Sequence, residues 1–446
     1  MSRRLLFIFL ALLCMLPCFL LSGCQATPEN GAVLQAEGFL KDIAETPFTS
    51  YEAPARVENE IDTEHLKIVF DAEIIIPEAS AYSIVELQQV QYTEEDYHRL
   101  MDHFCPGATW IEQPVLTKAQ ILEHYWNIQS NSRIPEEEKP QYDYLLEDAK
   151  AAPETAAPVP FDLSSSLQKQ HVFAAWTSAD REEASSFSIH PLIYLWNCVR
   201  TQDVVIFQEN FLDLDFEEDV YKVEDFKTDS EISQEEAVSI ARNTIDALAF
   251  DPAITLFSAE KAIAYRNHWP VSYGWQCIFT RNYNGLQLQG LLDHHRIWRN
   301  SPPPSYAAPW NQEKIMVYVN SEGVDIIEVR GLGKETGVLY ENVALLPFDE
   351  LLTRIEKQLM YQHAYQGEGV TEKKACVTSI EMIGSVIAER GKPGYGLFVP
   401  YWRVNYVLSY KKRGTPTVID DAATIFNAID GSYIEPRMTE RLLGYD

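Results

Sequence analysis

The densest group of chemistry-bearing side chains in the sequence is Asp293-His294-His295-Arg296. Two imidazoles beside a carboxylate and a guanidinium could hold a metal or run an acid–base step. Adjacent residues diverge on a strand or a helix, so joint ligation by His294 and His295 would need a turn between them. His294 and His295 are therefore ligand candidates, with a structural role as the plainer reading. His98 and His103 lie five apart on one expected helix and point about 140° apart, so they do not converge as an i, i+4 pair would. The run Pro302-Pro303-Pro304-Ser305-Tyr306-Ala307-Ala308-Pro309-Trp310 is a stiff loop with two aromatics. Exposed, Tyr306 and Trp310 would stack on a sugar or dock a partner; folded back, they would cover a sheet edge. From Asp213 to Glu236 eleven carboxylates crowd the chain. Asp213, Asp215, Glu217 and Glu224 fall at ligand positions of a calcium loop, yet Glu218 stands where the sharp turn needs glycine. A solvated acidic face is the expectation there, with calcium binding left open.

The glycine motifs are weaker. Gly384-Ser385 lacks the second glycine of a nucleophile elbow. Gly331-Leu332-Gly333-Lys334-Glu335-Thr336 misplaces the first glycine of a phosphate loop and offers Glu335 where a hydroxyl is required. Residues 391–396 read as a loop between strands. No catalytic residue, metal site or cofactor is assigned. With 66 carboxylates in the chain, a glycosidase pair is set by separation in space and is invisible to inspection.

Arg3 and Arg4 precede an apolar run over 5–21, broken only by Pro17, and the run closes on Leu21-Ser22-Gly23-Cys24. A basic segment followed by a short apolar one is the secretory signal pattern. The run is also short for a bilayer core of about 30 Å. This order of features resembles the lipobox of bacterial lipoproteins. The resemblance implies that Cys24 is lipid-modified and becomes the first residue after cleavage behind Gly23. It places the body at the extracytoplasmic face of the cell membrane, held by its N-terminal lipid.

Lys+Arg of 36 against Asp+Glu of 66 give the 446-residue chain a net charge of −30. That balance excludes a basic nucleic-acid face and a polybasic membrane-surface binder. Hydrophobic residues at 46% are enough for sizeable cores, and the length suits two or three domains. Cys105, Cys198, Cys277 and Cys376 are too widely spaced for a disulfide framework. Buried free thiols are expected, with the pairing left open.

Positioning elements follow from the pattern. After the signal peptide (1–23) comes a polar tether (24–57). Strands are expected over 66–76 and 82–91. Thr93 with Asp96 opens a helix carrying Tyr97, Leu100, Met101 and Phe104, and Thr117 with Gln120 opens another carrying Ile121, Leu122, Tyr125 and Trp126. These elements compose an α+β domain over 58–132. Residues 133–160, rich in proline and alanine, read as a linker or long surface loop. A β-rich segment over 161–230 has strand-like runs at 172–177, 192–199 and 203–208.

The second half reads as an internal repeat, with two unrelated α+β stretches that agree by chance as the plainer alternative. A helix over 233–250, apolar at 237, 238, 241, 245 and 248, is followed by strands near 254–265 and 274–281 and a hairpin over 315–329. A helix from Pro347, apolar at 348, 351, 352, 355 and 359, is followed by 375–388, 401–410 and 424–434. Trp275 and Trp402 are expected to open the two middle strands. The fold class expected is α+β, antiparallel sheets each packed against a helix, with tandem α-β-β-β-β modules over 231–335 and 336–446.

Ser233-Gln234-Glu235-Glu236-Ala237-Val238-Ser239-Ile240-Ala241 resembles the helix opening of PepSY-type domains. Trp402-Arg403-Val404, with Asn427-Ala428-Ile429-Asp430-Gly431, resembles their closing strands. The tandem units are similar to the extracytoplasmic YycH/YycI regulators of a sensor kinase, which are held by a transmembrane helix instead of a lipid. The resemblance implies a non-enzymatic binding or regulatory role at the envelope, with another envelope protein or a sensor kinase as partner. The alternative is a surface hydrolase acting on envelope glycans or peptides.

Overall fold

The computed structural model describes residues 43–435 apart from 65, 92, 105–108, 113–115, 133, 135, 156, 158, 165–171, 178–184, 191–194, 200–203, 209–224, 226, 249, 267–268, 289–305, 308–309, 311–312, 364–368 and 390–391. The lipobox with Cys24, the His294-His295 pair, Cys105 and the calcium-like portion of the acidic stretch lie outside the described residues.

In chain order the elements are β1 (Arg56–Asp62), β2 (Leu66–Ile75), β3 (Ile84–Gln89), α1 (Glu94–Phe104), β4 (Thr109–Glu112), α2 (Lys118–Ser130), α3 (Tyr144–Ala151), β5 (Val172–Thr177), β6 (Ser185–His190), β7 (Leu195–Val199) and β8 (Val204–Gln208). Then come α4 (Gln234–Ala247), β9 (Ile254–Arg266), β10 (Trp269–Tyr283), β11 (Leu286–Gln287), β12 (Tyr306–Ala307), β13 (Lys314–Asn320), β14 (Gly323–Arg330) and β15 (Gly333–Tyr340). The chain closes with α5 (Phe348–His363), β16 (Val370–Ala388), β17 (Tyr395–Lys412), β18 (Thr415–Asn427) and β19 (Tyr433–Glu435).

Two predominantly antiparallel sheets result. One runs β1-β2-β16-β17-β18-β19-β12, with β3 beside the start of β17 and β15 beside β3. Within it β2–β16 and β12–β19 pair in parallel. The other runs β4-β5-β6-β7-β14-β13-β10-β9-β8. β11 pairs with the end of β10, and Leu288 just beyond it bridges to Gly384 in β16. One short strand therefore joins the two sheets.

The expected α+β class forms, and so does the repeated order of one helix followed by an antiparallel meander. The Ser233 hydroxyl accepts from the Glu236 N–H at 3.1 Å and starts α4. Ala237, Ala241 and Ile245 then make a buried stripe that packs with Cys277, Phe279, Val317 and Ile327. On α5, Phe348, Leu351, Ile355 and Leu359 pack in one core with Ile68, Phe70, Trp402 and Phe426. Fully burying a large apolar side chain contributes about 1.5–3 kcal/mol, so these stripes rather than local propensity hold the helices. The β13–β14 hairpin turns at Gly323, whose φ of 106° a side chain would resist. Among the described residues, no helix is long and apolar enough to cross a membrane.

Several expectations are corrected. The two strands expected in a separate domain over 58–132, β2 and β3, belong to the α5 sheet, where the unexpected β1 joins them, and the unexpected β4 lies in the other sheet. Their inward faces (Leu66, Ile68, Phe70 and Ala72 on β2) are covered by the C-terminal core. The expected loop over 133–160 contains α3, which packs on α2 through Ile121, Tyr125, Ile128, Leu145 and Ala149. Trp126, one of the apolar residues expected on α2, is 61% exposed. Trp275 and Trp402 lie within β10 and β17 instead of opening them, because both strands begin earlier, at Trp269 and Tyr395.

Candidate functional site

Among the described residues, a buried concentration of charge lies near the meeting of the sheets. On β10 the inward line Cys277, Phe279 ends on Arg281, which is 0% exposed. Its guanidinium is bidentate on Glu313, with Nε to Oε1 at 3.0 Å and Nη2 to Oε2 at 2.9 Å. Nη1 donates to Asp251 at 2.8 Å and to the Tyr283 hydroxyl at 3.0 Å, and Nη2 also donates to the Gly333 carbonyl. All the N–H groups of an arginine fork are thereby engaged. Tyr283 passes its own proton toward Glu335 at 2.8 Å, and the Gly333 N–H donates to Glu313 at 2.8 Å. Burial alone would lower the Arg281 pKa, but Glu313 beside it outweighs that and raises it. This array fixes β10, the residue before β13, and the start of β15 relative to one another. It has no donor left for a ligand.

A second cluster is open to solvent. Lys392, in the hairpin between β16 and β17, pairs with Glu86 of β3 and lies 3.4 Å from Glu389. Its ammonium also sits 4.6 Å from the centre of the Tyr395 ring. Thr336 of β15 donates to Glu86 at 2.6 Å. The Lys392 hydrogen bond, with Thr336 next, holds the Glu86 carboxyl below its ordinary range. Burial pushes Glu389 in the opposite direction, above it. Two carboxyls around one ammonium are thus driven apart, the division that assigns an acid and a base when such a pair does chemistry.

A third array lies on the face of the β16–β17 pair turned away from α5. Glu381 accepts from Ser379 at 2.9 Å, Asn405 at 2.9 Å and Arg403 at 2.7 Å, so its oxygens are held by three donors. Under α5 itself, His363 is pushed down to about 3 by burial and by neighbouring Lys373, and it contacts the Tyr406 hydroxyl at 3.1 Å. Lys373 donates to the His363 carbonyl at 3.0 Å, a cation closing the C-terminal end of the helix.

The described residues among those singled out in the sequence take separate structural roles. Trp310 is 4% exposed and its indole N–H donates to the Gly331 carbonyl at 2.8 Å. It is a packing residue and not an exposed anchor. Tyr306 begins β12 and pairs with Ile434. The glycine run read against a phosphate loop has structural work instead, since Gly331 receives Trp310 and Gly333 receives Arg281. Gly384 faces Phe398, and a Cβ there would lie 2.2 Å from the ring. His98 and His103 are both exposed on α1. Cys277 is free and buried, its thiol pushed up to about 11 by burial, and Cys376 is free and half-buried. Arg281 was the residue missed. The signal for it was available: a charge at an inward-facing position of an alternating strand requires a buried partner.

No protein-family model matches the chain, and no curated protein matches it. Among solved structures, the chain is similar to one described as the crystal structure of an uncharacterized protein from Eubacterium rectale ATCC 33656. The two share 12% identity with a TM-score of 0.40, over 86% of this chain and 94% of that one.

Proposed function

We propose that the protein is a lipid-anchored, extracytoplasmic component of the cell envelope that acts by binding, in a regulatory role, rather than by turnover. The observation that supports this reading most is the twice-used unit, α4 with β9-β10-β13-β14 and α5 with β16-β17-β18-β19. A helix covers one face of each meander; the other face of the first is buried around Ala262, Ala264, Met316, Tyr318 and Ile326, whereas that of the second is part-exposed. In the second unit that face carries Ser379, Glu381, Arg403 and Asn405 already locked by mutual hydrogen bonds. A surface ordered before contact loses little entropy on binding. The lipobox at 21–24 supplies the anchor, and another envelope protein or a sensor kinase is the partner class.

Affinity capture from membranes with the lipidated protein tests the reading. A recurrent envelope partner, lost when Arg403 is changed to Ala, is the expected result. Mass spectrometry of the native product should find Cys24 acylated and residues 1–23 removed; an intact Met1 with a bare thiol would overturn the anchor. Turnover of a cell-wall glycan or peptide, abolished by one substitution, would overturn the binding role.

The alternative is a surface hydrolase acting on envelope glycans or peptides, with Glu86 and Glu389, gathered around Lys392, as its candidate carboxyl pair. On that reading Glu389→Gln and Glu86→Gln each abolish hydrolysis of a cell-wall polymer. Unchanged hydrolysis in both variants would retire the pair.

A further inference from the structure

The helical unit over 118–151 has a small core of its own and an outer surface that core does not explain. Trp126 and Tyr144 are 61% and 57% exposed. A chain of contacts links the two positions. The Trp126 ring meets the edge of Tyr125 at 5.1 Å, the Tyr125 hydroxyl donates to Asp143 at 3.1 Å, and Asp143 precedes Tyr144. Glu123, exposed, lies one helical turn before Trp126. The lysines of this unit are each engaged: Lys118 with Glu154, Lys139 with Glu136 and Lys150 with Glu147. Glu123, Glu137, Glu138 and Asp148 are left as exposed negative charge.

We infer that Trp126 and Tyr144, fringed by Glu123 and Asp143, form a docking surface for a cationic polypeptide segment of the partner. This rests on the binding role proposed above and narrows it. An exposed indole is the best face for a lysine or arginine side chain, and nearby carboxylates hold the flanking cations. The chain's net charge of −30 draws such a segment in and repels an anionic bilayer, which argues against the aromatic pair as a membrane anchor.

The test uses the full-length chain in nonionic detergent and a fluorescent oligoarginine peptide, read by anisotropy at physiological salt. Trp126→Ala should weaken binding about five- to thirtyfold, with Trp126→Phe retaining most of it. Glu123→Gln should weaken it and flatten its salt dependence. The control D71N/E73Q removes charge from the exposed side of β2 and should change affinity by less than about twofold. Equal loss in the control, or no loss in W126A, reduces the effect to general attraction between opposite charges and overturns the docking surface. Membrane capture separates the two levels: a partner retained by W126A sinks the docking surface alone. No partner for either form, together with turnover of a cell-wall polymer, sinks the binding role. Trp126 packs outside the core, and helical circular dichroism of W126A should match the parent.

Discussion

Replacing Arg281 by Met removes the charge at the junction of the sheets while keeping a side chain of similar length. Glu313, its carboxylate only 2% exposed, would keep a single donor, the Gly333 N–H at 2.8 Å. Asp251 and the Gly333 carbonyl would also lose a bond each. Breaking a buried ion pair by deleting one partner typically costs about 3–5 kcal/mol, because the other charge remains buried. Arg281→Met should fall in that range. R281M/E313L removes both charges and should recover more than half of the loss, since the penalty is the orphaned carboxylate and not the missing attraction. Guanidinium unfolding followed by tryptophan fluorescence measures both. The loss should be nearly the same at low and high salt, because a pair this deeply buried is screened little. A loss under about 1 kcal/mol for the single variant, or a double variant no better than the single, would refute the reasoning.

Other perturbations give distinct outcomes. Gly384→Ala forces the Phe398 ring to move and should cost about 1–3 kcal/mol, with partial rescue by F398L; Gly274→Ala meets the Val319 carbonyl oxygen at 2.2 Å, which cannot swing away, and no side-chain change should rescue it, as thermal melts of the four proteins would report. Glu86, held low by Lys392, contributes stability above its unfolded value of about 4.5 that is lost as the pH falls through its lower folded value. The E86Q variant should therefore lose less stability on acidification than the parent. Glu389, raised by burial, acts in the opposite sense, so Glu389→Gln should lift the melting midpoint more at neutral pH than at about pH 4. Cys277 should stay unlabelled by iodoacetamide at about pH 8 in the native protein and react on unfolding, whereas half-buried Cys376 should label first, as peptide mapping would show.

Periodicity made the two helix-on-meander units legible. Ser233 and Thr117 mark real caps, and the apolar stripes of α4 and α5 fall at the expected positions. Partners distant in sequence were not legible. Nothing in Leu66 to Ile75 announces a parallel neighbour at Lys373 to Glu381, since strand pairing is chosen by whole-molecule packing. β6, with serines at 185, 186 and 188, lacks a strong apolar rhythm and drew no expectation. Trp126 fits the helical stripe by spacing, yet it points outward, because Ile121, Tyr125 and Ile128 already fill the small core against α3. Arg281 and Glu313 form a pair only in three dimensions, and neither lies in a recognisable motif.

The parallel pairing of β2 with β16 sets an order of events during biosynthesis. Leu66 aligns with Lys373, and β3 waits for Tyr395 to Phe398. The earliest strands leave the ribosome long before the ones they zip against, and contacts so remote in sequence form slowly. Until then β2 carries its bare Leu66, Ile68, Phe70 and Ala72 face through the cell. Arg56, Glu58 and Glu60 on the outermost strand would discourage premature association with other nascent chains. A truncation that stops before β16 should thus yield an insoluble product and not a smaller folded one.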